Sequence, residues 1–214
     1  MKFVAKYYGM TLKEVEKRGE SALIKFEKVW NKKKRKTSKD IREAYNETSE
    51  MLFRFAWSGQ LRDYSKIRKL IKKKDKLLDY GCGVATPFET FIDKGYNITL
   101  ADIKSPTFKF VKWKYGTSAK YILIKEKLSL KEKYNFIVCT DVLEHVTNPI
   151  SLLNHLLSHL NKQGYLLFYF STDEDKVSHL TKSIKKHKRV ESIINRKLKY
   201  VDSINGGQQI YIKK

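Results

Sequence analysis

The stretch KLLDYGCGVA, Lys76 to Ala85, decides how this chain is read. Its first half, KLLDY, is a short and largely apolar run with an acidic residue, Asp79, next to its end, which suits a strand covered on both faces. Gly81 and Gly83 follow at once, and Thr86 to Lys94, closed by Gly95, reads as a helix. Glycines between a strand and a helix let the backbone turn tightly and approach a ligand with no Cβ in the way. A dinucleotide site would favour GxGxxG, with a pyrophosphate on the helix N-terminus. Here Asp79 precedes the glycines, where a carboxylate repels phosphate but accepts a hydrogen bond from an ammonium. The expected ligand therefore carries a cationic or amino group at that point.

Downstream, the runs NITLADI (97–103), AKYILI (119–124), YNFIVCT (134–140) and GYLLFYF (164–170) repeat the pattern. They alternate with helix candidates at Ser105 to Tyr115 and Pro149 to Leu160, which predicts a parallel sheet with helices on both faces. A basic helix is expected over about Asp175 to Arg189. The chain then ends in a hairpin, KLKYVDSINGGQQIYIKK, turning at Asn205, Gly206 and Gly207. Upstream of Asp75 the rhythm is helical instead. Thr11 and Glu14 form a capping-box signature, and Leu12, Val15, Leu23, Phe26 and Trp30 then recur at roughly helical intervals. A basic linker, Asn31 to Thr37, precedes a helix capped by Ser38 that carries an apolar stripe up to Trp57, before Ser58 and Gly59 break it. A third short helix would carry Leu61, Tyr64, Ile67, Leu70 and Ile71. Residues 1–75 thus read as a helical extension and 76–214 as an α/β domain.

With 214 residues, 41% of them hydrophobic, and only 3 Pro, the chain can bury a substantial core, which excludes disorder as a whole-chain reading. Cys82 and Cys139 sit in or beside apolar runs and not in metal-like spacings, which points to a reducing, intracellular setting and a cytoplasmic protein. No run approaches the roughly 20 apolar residues of a membrane-spanning helix. The formal net charge is +22, and the excess lies at the ends: +13 over residues 1–76, +3 over 77–170 and +6 over 171–214. Basic ends attract RNA or an anionic membrane surface. A lysine-biased composition gives the same number without any such partner.

LLDYGCGVA resembles motif I of the class I S-adenosylmethionine-dependent methyltransferases, whose DxGxGxG loop cradles the methionine part of that cofactor. Asp102 closes the second strand 23 residues after Asp79, where the family's acidic residue receives both ribose hydroxyls. YNFIVCTDVLEHVTNP resembles motif IV of the subgroup that includes the ubiquinone-biosynthesis O-methyltransferases, and the terminal hairpin is similar to the family's reversed last strand. The resemblance covers residues 76–170 well. It implies a Rossmann-like, doubly wound, seven-stranded sheet with an antiparallel last strand under an N-terminal helical lid. It also implies S-adenosyl-L-methionine as cofactor, met by Asp79, Gly81, Cys82 and Gly83 in the loop, with Asp102 on the ribose, Ile103 as adenine wall and Thr140 near the sulfonium. The subgroup places an Arg upstream of motif I against the cofactor carboxylate, for which Arg62 and Arg68 are the candidates. Two departures stand out. Ala85 occupies the place of a third glycine, and ILIKEK offers only Lys125 and Glu126 where an acidic residue often meets adenine.

Methyl transfer from a sulfonium is an in-line displacement, and a hydroxyl acceptor also needs a base or a metal. Asp141, Glu144 and His145 are the candidate catalytic residues, two carboxylates and an imidazole in one DxxEH turn. The arrangement resembles the ExxEH metal site of that subgroup and of small-RNA 2′-O-methyltransferases, with Asp for the first Glu. No metal is assigned, and the simpler alternative for His145 is that it holds its loop by hydrogen bonds. His155 and His159 have metal-pair spacing without a carboxylate and read as ordinary helix residues, while His179 and His187 have no evident partner in the sequence. Tyr45, Trp57 and Tyr64 are available to enclose an acceptor. The leading reading is methyl transfer to a small or lipid-like acceptor, at oxygen. RNA methylation through the basic ends is the alternative, and a non-catalytic binding protein on the same fold is a third.

Overall fold

The computed structural model describes residues 1–33, 38–58, 63–125, 130–174 and 176–214. Arg62, Glu126, Gly59, Leu61, residues 34–37 of the basic linker and the expected helix start at Asp175 lie outside the described residues, as does the side chain of Ser38.

Seven strands make one sheet: β1 (Lys76–Tyr80), β2 (Asn97–Asp102), β3 (Lys120–Leu123), β4 (Tyr134–Thr140), β5 (Leu160–Tyr169), β6 (Leu198–Ile204) and β7 (Gln208–Lys213). Their order is β3-β2-β1-β4-β5-β7-β6. β1 runs parallel to both neighbours, with Leu78 opposite Thr99 of β2 and Ile137 of β4, whereas β7 is antiparallel to β5 and to β6. The strand order reverses direction between β1 and β4, and ligands of such sheets bind outside the carboxyl ends of the strands at that switch point.

Consecutive apolar residues along β1 are needed because both faces are covered. Leu77 joins a core with Phe88, Phe108, Phe136 and Ile210, while Leu78 joins another with Ile137, Leu153, Leu166 and Val190. Each such fully buried side chain is worth roughly 1.5–3 kcal/mol. The first face is roofed by the N-terminal helices as well: Val4 and Ala5 of α1 (Lys2–Tyr8), Val15 and Ala22 of α2 (Leu12–Asn31), and Leu52, Phe53 and Ala56 of α4 (Glu50–Ser58) belong to the same core as Leu77. A smaller cluster ties Phe26 and Trp30 of α2 to Ile41 and Ala44 of α3 (Ser38–Glu47) and Met51 of α4.

The capping box at Thr11 and Glu14 forms, with Glu14 N donating to Thr11 Oγ1 at 3.2 Å. Ser105 and Asn148 cap α7 (Pro106–Tyr115) and α8 (Pro149–His159), each with Pro at the first helical position. Five expected elements take a different form. The single helix expected from Ser38 to Trp57 is two, because Glu50 N donates to Thr48 Oγ1 at 3.2 Å and Arg18 of α2 grips Glu50 and Ser49, starting a new helix there. The helix expected over 61–71 is represented by α5 (Ser65–Arg68), and that over 86–94 by a 3₁₀ turn, Thr86–Phe88, leading into α6 (Glu89–Ile92). β5 begins at Leu160, ahead of the expected 164. The basic helix after β5 is displaced to α9 (Thr181–Ile184) and α10 (His187–Lys197), because residues 178–180 bond instead to the 144–145 turn.

Candidate active site

The carboxyl ends of β1, β2 and β4 open into a cavity of about 870 Å³ beneath the N-terminal helices. Its floor is the glycine loop. Gly81 and Gly83 have φ of 75° and 51°, the left-handed region that glycine enters without cost. A Cβ on Gly81 would stand 2.5 Å from Val142 Cγ2, so the glycine also lets the β1 and β4 loops touch. Ala85 takes φ 60°, so a left-handed conformation costing roughly 1–2 kcal/mol is held at a non-glycine residue.

Gly81 N and Cys82 N both donate to Ala101 O, at 2.8 and 3.1 Å. Asp102 accepts from Gly83 N at 2.9 Å on one carboxylate oxygen and from Ile103 N at 2.7 Å on the other. Oδ1 keeps a second lone pair for a hydroxyl donor, while Oδ2 also faces the Cys82 thiol, a weak donor 3.8 Å away. Burial pushes the Asp102 carboxyl up to about 6, against the pull of those two amides. Asp79 is more extreme. It is buried, its Oδ2 has no hydrogen-bond partner among the described residues, and burial first and Asp102 second push its carboxyl up to about 8. Ile103 and Thr140 line the cavity, together with Ile124 and Lys125 on the side where adenine is expected. The Cys82 thiol is pushed up by burial and lies 3.8 Å from Asp102, a wall group and not a nucleophile. Arg68 is not among the cavity-lining residues, whereas Arg42 and Arg54, not singled out in the sequence, are.

The other half of the cavity is built around the turn after β4. Asp141 holds φ 56°, and the 3₁₀ turn Leu143–His145 follows. Glu144 is fully buried: Ser171 N donates to its Oε1 at 3.2 Å, its Oε2 has no partner among the described residues, and burial pushes the carboxyl up to about 7. His145 Nδ1 lies 2.9 Å from Ser178 O, and burial lowers its pKa. An Nδ1–H donated to a carbonyl leaves Nε2 with a free lone pair. His179 repeats the arrangement, with Nδ1 2.6 Å from Asp173 O, and its ring centre is 4.9 Å from that of His145.

Glu144, His145 and His179 each bring one donor atom within 4.8 Å of the other two. The sequence grouped Asp141 with Glu144 and His145; among the described residues the third donor of this cluster is His179. His179 was invisible beforehand because its place depends on how the chain folds back after β5. His187 also has a partner, Glu191, at 3.5 Å one turn on. Tyr45 and Tyr64 line the cavity with Leu23, Met51 and Phe55, whereas Trp57 packs over Gly19 and under the Arg54 guanidinium. Among the described residues, no helix is long and apolar enough to cross a membrane.

Comparison with known proteins agrees with this fold. The methyltransferase-domain family matches residues 53–203. The ubiquinone biosynthesis O-methyltransferase of Rickettsia prowazekii (strain Madrid E) is 30% identical over 109 residues, covering 48% of this chain and 40% of that protein. The chain spans about two fifths of the length of the curated relatives it matches. Among solved structures, TehB from Haemophilus influenzae superimposes with a TM-score of 0.52 at 20% identity, over 71% of this chain and 62% of that one. The Burkholderia thailandensis 1,6-didemethyltoxoflavin-N1-methyltransferase, solved with S-adenosylhomocysteine bound, gives 0.53 at 15% identity, over 71% and 76%. At those identities the two structures share a fold with this chain.

Proposed function

We propose, proceeding from the fact that this chain belongs to the methyltransferase-domain family and has the class I S-adenosylmethionine-dependent fold, that it transfers a methyl group to the hydroxyl of a small or lipid-like acceptor. The observation that carries the choice of oxygen is His145, tied through Nδ1 so that Nε2 can take a proton at the cavity wall. The O-methyltransferase relatives support the same choice. The helices within 1–75 act as the cover of a methyltransferase domain spanning 76–214. Leu23, Ile41, Met51 and Phe55 give that cover an apolar inner face, which suits a lipid-like acceptor.

The residues present fit the cofactor. The orphaned Asp79 oxygen would accept from its amino group, and Asp102, with a spare lone pair on Oδ1 and only the weak Cys82 thiol contact to displace at Oδ2, would accept from the two ribose hydroxyls. When bound, S-adenosylmethionine supplies an electrophilic methyl on a sulfonium whose charge disappears in the reaction. The chain's part is to align the acceptor oxygen behind that methyl, to exclude water beneath α3 and α4, and to take the hydroxyl proton on His145 Nε2. Glu144 and His179 each bring one donor atom within 4.8 Å of a donor atom of His145. With His145 they also form a carboxylate–imidazole donor set of a kind that divalent ions accept.

A second reading, methylation of RNA, draws on the net charge of +22 and on Arg42, Arg54 and Lys176 around the cavity. The deciding experiment is calorimetric titration of S-adenosylmethionine and S-adenosylhomocysteine, with and without magnesium and at two salt concentrations, followed by an acceptor panel run on wild type and on His145→Ala. Binding of both compounds is expected, and so is a methylation rate about 100-fold lower in the variant, the low end of what a general base contributes. Absence of binding points to the non-catalytic alternative. Steeply salt-dependent binding of RNA favours the second reading.

A further inference from the structure

The segment after β5 is laced to the turn that carries His145. Leu180 N donates to Glu144 O at 2.9 Å, His145 Nδ1 lies 2.9 Å from Ser178 O, and Ser183 Oγ donates to Val146 O. The same segment reaches the helical cover, because Val177 and Leu180 pack on the Phe26, Trp30, Ile41, Ala44 and Met51 cluster. Between the two stands one short chain of polar atoms. Tyr45 Oη, on α3, is 3.0 Å from Ser178 Oγ, which is 3.2 Å from His145 Nδ1. Ser178 is buried and holds φ 70°. A residue kept in that region costs roughly 1–3 kcal/mol and persists only where its surroundings over-determine it. The contacts that fix it here are the Tyr45 hydroxyl on one side and the His145 ring on the other. The Tyr45 ring itself is fixed by Phe26, centre to centre 4.9 Å.

We infer that Tyr45 and Ser178 are positioning residues for His145: the hydroxyl of the helical cover holds Ser178 in its strained conformation, and the Ser178 carbonyl then fixes the His145 tautomer with Nε2 bare. The base is complete only when α3 is seated. The inference rests on the reading of His145 as the group that takes the acceptor proton, although its central claim concerns the imidazole tautomer and can be measured without any acceptor. Burial raises the pKa of Tyr45, so its hydroxyl stays protonated and able to donate.

The test is the imidazole nitrogen spectrum of the ¹⁵N-labelled full chain bound to S-adenosylhomocysteine. In the wild type His145 is expected as the Nδ1–H tautomer. Tyr45→Phe, which keeps the ring against Phe26, should convert it to a mixture with a clear Nε2–H population, and Ser178→Ala should do the same. With an acceptor from the panel, each variant should lower kcat about tenfold, a fraction of a general base's contribution, with the cofactor KM within about twofold. The double variant should be no worse than the poorer single one, because the two act through one contact. An unchanged tautomer in Tyr45→Phe overturns the inference, as does additivity in the double variant. Undiminished methylation by His145→Ala overturns the underlying reading of the base instead, whatever the tautomers show.

Discussion

The cofactor half of the cavity is fastened mainly by backbone, whereas the acceptor half is fastened by side chains. Gly81, Cys82, Gly83 and Ile103 contribute amides to Ala101 O and to Asp102, and all of these residues fall between 79 and 103. Around His145 the partners are Tyr45 from the helical cover and Ser178 and His179 from the segment after β5, two parts of the chain far from His145 and from each other. A backbone-built site follows from the fold, because any chain that makes these strands and this loop presents the same amides. A side-chain site must be assembled from distant pieces, so it is where members of one fold differ.

The contrast can be broken most sharply at Asp102. Asp102→Ala removes two hydrogen bonds to a charged group, each worth about 1.5–3 kcal/mol, and should weaken cofactor binding about 100-fold or more with the circular dichroism spectrum unchanged. Unchanged affinity by calorimetry would mean that the ribose does not sit there.

A test of intermediate size uses pH. An Asp in the unfolded chain titrates near ~3.9, while folded Asp79 titrates at about 8. Between those values the unfolded chain binds fewer protons, so this group's contribution to the stability of the cofactor-free protein falls as pH rises through the window and is lowest above 8. A cofactor amino group favours the carboxylate form, so affinity should rise from pH 6 toward 8, approaching about tenfold per unit, with a proton released on binding. Thermal melts with and without S-adenosylhomocysteine measure both trends. A pH-independent cofactor shift would remove Asp79 from the site.

The smallest effect expected on binding comes from the cover. A Cβ on Gly19 would stand 2.6 Å from Trp57 Cβ and 3.0 Å from Phe53 O, so Gly19→Ala must push α2 off α4. A loss of about 1–3 kcal/mol in urea denaturation is expected. Cofactor affinity should change little if the glycine loop is as independent of the cover as its bonding suggests.

The same division governs what could be read in the sequence. β1, β2, β4 and the terminal hairpin were legible because buried parallel strands are continuously apolar and the turn glycines are local signals. Gly81 and Gly83 are such turn glycines, whereas Asp79 and Asp102 were singled out by their acidic place before the glycines and by the family resemblance, and all four line the cavity. α1 was not: seven residues give too little periodicity, and the helix is held by tertiary contacts of Tyr7 with Trp113 and of Tyr8 with Phe53. The break at Thr48 and Ser49 depends on Arg18, far away in the chain. His179 and the link from Tyr45 through Ser178 depend on how the segment after β5 folds back, which no local pattern encodes. Arg68 was one of two arginine candidates upstream of the glycine loop, and it is not among the residues that line the cavity.

The unpartnered oxygen of Asp79 bears on turnover. The amino group it is placed to receive is present both in S-adenosylmethionine and in the demethylated product, and the reaction leaves that group untouched. On the proposed placement Asp79 would tighten reactant and product alike, a uniform contribution that would hold the spent cofactor as firmly as the fresh one. Discrimination between them falls to whatever senses the sulfonium charge near Thr140. In a cell the rate of such an enzyme would follow the ratio of the two compounds more than the concentration of either.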